Sequence, residues 1–163
     1  MNRVIMSVAA SAVFSCLAVP RADAQTAQEI VGTWTLVSAV IQPGNVNIEA
    51  FGPNPSGTLV LGSDGRYALI FLRRDLPKIA ANDRLSQTAD ESRTIAKGSI
   101  AHFGTYRVDE TGKFLVFRIE SSTFPNWNGA EQRRPFALSG DELTYTSPGS
   151  TGIPAKVVMR RAK

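Results

Sequence analysis

The residue of this chain whose type and spacing most invite chemistry is Arg134. It alternates in period two with Gln132, Phe136 and Leu138. If that stretch is a strand with its apolar members facing inward, the guanidinium faces inward as well. A charge against a low-dielectric interior is costly unless it is paired. Three readings stay open: an internal salt bridge to Glu120 or Asp141, an anchor for a ligand carboxylate, to which a guanidinium offers two parallel donors, or exposure to solvent. His102 is the only imidazole in the sequence. On a strand it shares a face with Gly104 and Tyr106, and a catalytic reading would make His102, Tyr106 and Arg134 the polar groups of an isomerase, cyclase or hydrolase working in a dry cavity. A general base also needs an orienting partner and a substrate within reach. The sequence shows neither, so His102 reads first as structural or superficial, and no catalytic residue is assigned.

Other chemistries find less support. A zinc site takes three or four ligands, and after Cys16 the chain offers one His and no Cys. The acidic pairs Asp90-Glu91, Asp109-Glu110 and Asp141-Glu142 fall in helix or turns and read as capping or solvated groups. Neither a P-loop nor a Gly-x-Gly-x-x-Gly appears, so neither metal nor cofactor is expected. The formal charge is +4, but its basic pairs, Arg73-Arg74, Arg133-Arg134 and Arg160-Arg161, are scattered. Nucleic-acid binding wants a concentrated basic stripe with aromatics in it, and none is expected here.

Aromatic residues are placed more suggestively. Phe124 and Trp127 stand among the turn formers Pro125, Asn126, Asn128 and Gly129, where a plug or a lid would explain them. Tyr67, Phe71, Tyr106 and Tyr145 lie in apolar alternating runs, as core or as the lining of a cavity. With Arg134, Gln132, Trp127 and Phe124 they form the candidate ligand-binding set.

The elements that would position these residues are mostly strands. Ile30 to Ile41 is rich in Val, Ile, Thr and Trp and ends at Pro43-Gly44. Gly57 to Leu61 and Arg66 to Leu72 flank a hairpin turn, Gly62-Ser63-Asp64-Gly65. Both alternate sets of the second strand are apolar, which predicts cover on both faces. Thr88 to Lys97 is the helix: Thr88 can cap it, with Glu91 as capping-box partner. Strands resume at Ser99 to Val108 and Lys113 to Ser122, around an Asp109-to-Gly112 turn. Phe117 faces inward there with Leu115 and Ile119, while Arg118 and Glu120 point out. Gln132 to Leu138, Glu142 to Thr146 and Ala155 to Arg161 complete the set. About eight strands joined by tight turns bury their edges best by closing into a barrel, whose interior holds side chains or one small ligand.

Residues 1–24 are read apart from this domain. Met1-Asn2-Arg3, an apolar run from Val4 to Val19 and Ala22-Asp23-Ala24 describe a secretory signal cleaved after Ala24. The run falls short of the ~20 apolar residues of a spanning helix. A rival is lipoprotein processing at Cys16. The remaining residues, 25–163, make one domain with a sizeable core and no disulfide, expected in a periplasm or secreted, and as a monomer.

Gly32-Thr33-Trp34 on the first strand and Arg160-Arg161 on the last resemble the lipocalin, or calycin, arrangement. There a Gly-x-Trp plugs the closed end of the barrel and an Arg lies across the indole. Alternation leaves open whether Arg160 or Arg161 does so. Gly57-Thr58-Leu59, Asp64-Gly65-Arg66-Tyr67, Gly104-Thr105-Tyr106-Arg107-Val108 and Phe124-Pro125-Asn126-Trp127-x-Gly129-x-x-Gln132-x-Arg134 extend the likeness. Together they are similar to the bacterial and fungal lipocalin-like domain family over nearly all of Ile30 to Arg161. Many members carry histidines in the strand before Phe-Pro-Asn-Trp, where this chain has Phe117 and Arg118, so no role of such histidines carries over. The resemblance implies an all-β fold, an eight-stranded antiparallel up-and-down barrel with one short helix. The expected function is binding of a small apolar or amphipathic ligand inside the barrel. The alternatives are the enzyme above and a solid barrel acting as a structural or interaction module. Phe124 and Trp127 rim the mouth if they lie opposite Trp34, the arrangement favoured here, and add to the plug if they do not.

Overall fold

A computed structural model describes residues 27–109 and 111–163. The segment read as a signal, with Cys16 and Ala24, lies outside the described residues, as does Glu110. Alternating apolar and polar side chains organise the fold into strands. These are β1 (Gly32–Ile41), β2 (Ile48–Glu49), β3 (Ser56–Leu61), β4 (Arg66–Leu72), β5 (Ser99–Val108), β6 (Phe114–Ser122), β7 (Glu131–Ser139), β8 (Glu142–Ser147) and β9 (Ala155–Arg161). In β4, Tyr67, Leu69 and Phe71 are buried while Ala68 and Ile70 face out. Ile70 is 44% exposed, so the expectation of cover on both faces of this strand is wrong. In β6, Leu115, Phe117 and Ile119 are buried as the pattern predicts, and Arg118 and Glu120 are exposed.

Each strand pairs antiparallel with its neighbours in the order β2-β1-β3-β4-β5-β6-β7-β8-β9, and β1 also pairs with β9. That last ladder closes β1 and β3 to β9 into an eight-stranded barrel, with β2 as an extra strand on β1. Closure removes the open edges of the sheet. The short β2 has no alternation to read, and the sequence pattern does not predict it; it pairs Val40 with Glu49 and Ile41 with Ile48. A bulge in β1 between Leu36 and Ser38 leaves Val37 without a partner on β9. It shifts the inward set from Trp34 and Leu36 to Ala39.

The helix α1 (Ala89–Lys97) starts at Thr88, whose side chain accepts from the Glu91 N–H while the Glu91 carboxylate accepts from the Thr88 N–H. None of its residues is buried, so it adds no plug to the barrel. Among the described residues no helix is long and apolar enough to cross a membrane.

One end of the barrel is sealed by Trp34, which is fully buried. Its indole N–H donates to the Ile30 carbonyl at 2.8 Å. The Arg161 guanidinium lies over the ring, 4.3 Å from its centroid, and donates to the Val31 carbonyl. Arg160 faces solvent. Gly32 has φ +136°, and a Cβ there would stand 3.0 Å from Arg161 Nη1, so this glycine lets the cover close.

Candidate functional site

Strand directions place the other functional residues. β1 begins at the Trp34 end, where Gly32 faces Leu61 and Trp34 faces Arg161. β6 begins at that end too, since Val108 faces Leu115. Its exit at Ser122, and the 3-10 turn Pro125–Trp127 beyond it, therefore lie at the opposite end. The sequence builds this corner locally. Phe124 N–H donates to Ser122 Oγ, the Asn128 side chain accepts from Ser122 N–H, and Gly129 at φ +77° turns the chain back so its N–H reaches the Ile119 carbonyl. Trp127 is thereby laid edge-on to His102, with ring centroids 5.7 Å apart, and Phe124 braces it at 5.5 Å.

Beneath Trp127 the barrel is not solid. A cavity opens at this end, with a volume of about 60 Å³ traced by the centre of a water-sized sphere. One water needs about 10–15 Å³ on that measure, so the void takes several. Its walls are mainly apolar, including Ala39, Phe51, Phe71, Ile100 and Val157, and the loop Gly149 to Thr151 borders it. Three polar side chains reach it from deeper positions: His102, Arg134 and Tyr145.

Arg134 is 1% exposed. The salt bridges expected from sequence do not form: Glu120 pairs with Arg66 at 3.0 Å, and Asp141 sits 3.5 Å from Arg161. Among the described residues no carboxylate reaches Arg134. The solvent-exposed reading fails as well. Its partners are neutral: Nε and Nη2 both donate to Gln132 Oε1, at 3.2 and 2.7 Å, and Nη2 approaches His102 Nε2 at 3.5 Å. The rings of Phe117 and Tyr145 flank the charge at 4.6 and 5.5 Å. Cation–π contacts of this kind contribute about 0.5–2 kcal/mol each, against a desolvation cost of several kcal/mol per buried ion. Burial lowers the Arg134 pKa, opposed by the neighbouring tyrosines, but a guanidinium stays protonated in a protein.

His102 is held between Arg134 and Tyr67, whose hydroxyl lies 2.8 Å from Nδ1. A guanidinium only donates, so Nε2 facing it is the lone-pair nitrogen; the ring proton sits on Nδ1 and is donated to Tyr67 Oη. Burial first, and the Arg134 charge second, push His102 down to about 3. With both nitrogens engaged and so little affinity for a proton, it is a poor general base at neutral pH. Burial raises the Tyr67 hydroxyl well above its ordinary value, with Arg134 pulling the other way. Burial raises Tyr145 to about 12, again against Arg134. The Tyr145 hydroxyl is buried and close enough to Arg134 to feel its charge and a weak hydrogen bond from it, but among the described residues it has no acceptor for its own proton.

The sequence-derived set thus divides. Arg134, Tyr145, Trp127, Phe71 and His102 meet at one cavity. Gln132 and Tyr67 stand behind it, as supports of Arg134 and His102, and Phe124 supports Trp127. Tyr106 does not join them. Its hydroxyl donates to the Gly62 carbonyl at 2.8 Å, in the turn beside the sealed end, so the trio His102, Tyr106 and Arg134 is not assembled. Sequence reasoning missed Ala39, Ala50, Phe51 and Ser147, which carry no signal beyond being small or apolar. Among the described residues no group of acidic, His or Cys side chains is arranged to hold a metal ion.

Compared with known protein families, residues 31–156 match the family described as a lipocalin-like domain. Among curated proteins no sequence matches at a significant level. The chain belongs to the lipocalin-like domain family.

Proposed function

We propose that this lipocalin-like protein is exported and binds a small apolar or amphipathic molecule through the open end of its barrel. The observation that carries the reading is the cavity under Trp127, apolar on its walls and polar at Arg134 and Tyr145, opposite the Trp34 plug. Apolar burial contributes about 25 cal/mol per Å², and a few polar groups fix orientation. The enclosed space suits one end of a ligand, with the remainder passing out beside Phe51 and the Gly149-to-Thr151 loop. A diffusing ligand is met at a mouth, and an exported protein meets it outside the cytoplasm.

Thermal unfolding of the delipidated protein against fatty acids, isoprenoids and small aromatics tests the binding. At least one class is expected to raise the melting temperature, and Ala50→Phe, which crowds the mouth, is expected to remove the shift. No shift with any class sinks the reading. Export is tested separately by N-terminal sequencing of protein recovered from its native host: a chain starting at Gln25 supports it, and a retained Met1 overturns it.

A further inference from the structure

We infer that the end of the ligand buried in this cavity is a monocarboxylate, held by the free Nη1 edge of Arg134 and by the Tyr145 hydroxyl. The inference rests on the proposed ligand-binding reading and names the chemistry of the same site.

Two independent features converge on it. The first is a cation without an anion. Arg134 is 1% exposed, no carboxylate among the described residues reaches it, and its hydrogen bonds use Nε and Nη2 alone. Two N–H groups of Nη1 are left for an acceptor from outside. The second is a donor without an acceptor. Tyr145 is 2% exposed and lines the same cavity; Arg134 beside it can only donate, so among the described residues its hydroxyl proton meets no acceptor. At about 12 its pKa keeps the proton in place to be donated.

Neighbouring side chains hold them in place. Gln132 fixes the guanidinium plane through Nε and Nη2, and the Phe117 ring lies 4.6 Å beneath it. His102 is neutral and turns a lone pair to Arg134, so it adds no competing positive charge and does not neutralise the one present. An acceptor with one negative charge and two oxygens satisfies both loose ends, through charge-assisted bonds roughly twice as strong as neutral ones. A dianion would overcompensate a single buried cation. The apolar walls ask for a hydrocarbon or aromatic tail.

Matched ligands separate this inference from the reading beneath it. Hexanoate and benzoate are compared with hexanamide and benzamide by titration calorimetry on the purified protein. Each carboxylate is expected to bind at least about tenfold more tightly than its amide. Arg134→Met is expected to erase that preference, and Tyr145→Phe to reduce carboxylate affinity several-fold while sparing the amide. If carboxylate and amide bind equally, the inference fails and the ligand-binding reading survives. If neither pair binds, both fail. The wild-type comparison decides the matter even if Arg134→Met does not fold. A carboxylate preference undiminished in both variants would place the anion elsewhere and overturn the assignment.

Discussion

The Tyr67 hydroxyl and His102 Nδ1 stand 2.8 Å apart across neighbouring strands, with His102 lining the cavity and Tyr67 behind it. Tyr67 occupies one side of the imidazole and Arg134 the other, with Trp127 edge-on above it. The ring is buried, which disfavours its charged form, and a cation beside it discourages a proton further. Its neutrality is thus a product of packing, and it holds Arg134 as a neutral acceptor would.

That arrangement makes stability depend on pH. The folded pKa of His102 lies near 3, below the 6.5 of a free imidazole. The unfolded chain takes up a proton that the folded chain refuses, so the contribution is full above 6.5 and declines as pH falls toward 3. Urea midpoints should fall through this window in the wild type, and His102→Gln should flatten the upper part of it, before carboxylates titrate. An unchanged slope would show that His102 does not carry the effect.

Arg134 places a charge where desolvation works against the fold. Arg134→Met keeps much of the side-chain volume and removes a buried charge that no carboxylate among the described residues offsets. It should stabilise the fold by about 1–4 kcal/mol in denaturant unfolding. A large loss of stability would mean that the Gln132 and aromatic contacts outweigh desolvation.

At the sealed end the two adjacent arginines should behave differently. Arg161→Ala loses the stack on Trp34 and the bond to the Val31 carbonyl, a loss of about 1–3 kcal/mol. Arg160→Ala, on the outer face, should stay within about 0.5 kcal/mol. Parallel denaturation of the two variants reads the contrast directly.

Gly32→Ala should cost about 1–3 kcal/mol, because alanine resists φ near +136° and its Cβ would press on Arg161. The expected companion sign is a changed Trp34 fluorescence, since the Arg161 cover must shift. Silent fluorescence with full stability would contradict the role given to this glycine.

Asp109 anchors the β5–β6 hairpin. Its carboxylate accepts from the Lys113 and Phe114 N–H groups and pairs with Arg133 at 3.0 Å. Burial pushes its pKa up, but these hydrogen bonds outweigh it and hold the carboxyl below 3.8. Its stabilisation is therefore present above that value and is lost as pH falls through the lower, folded one. Asp109→Asn should lower the urea midpoint at neutral pH, with a gap that closes in strong acid.

The sequence by itself determined the eight barrel strands, the turns and the all-β fold, because the apolar run of β4, the alternation in β6 and turn residues such as Gly62 to Gly65 act over a few neighbouring positions. It also marked Trp34 as a plug, Arg134 as a charge that faces inward if its apolar strand neighbours do, and the Phe124-to-Gly129 corner as unusual. Only the tertiary structure decided the rest. Arg161 covers Trp34 because β9 meets β1 in a register that sets them opposite. Tyr106 leaves the site because its hydroxyl reaches the Gly62 carbonyl at the other end of the barrel. The bulge at Val37 turns Ala39 inward where strict alternation would have pointed Ser38. A bulge depends on how two distant strands must bend to close a barrel, and that is not written in the period of either one. The empty space at Arg134 has the same origin: a cavity is what side chains from several strands and the loops between them leave unfilled, and no single segment of sequence encodes it.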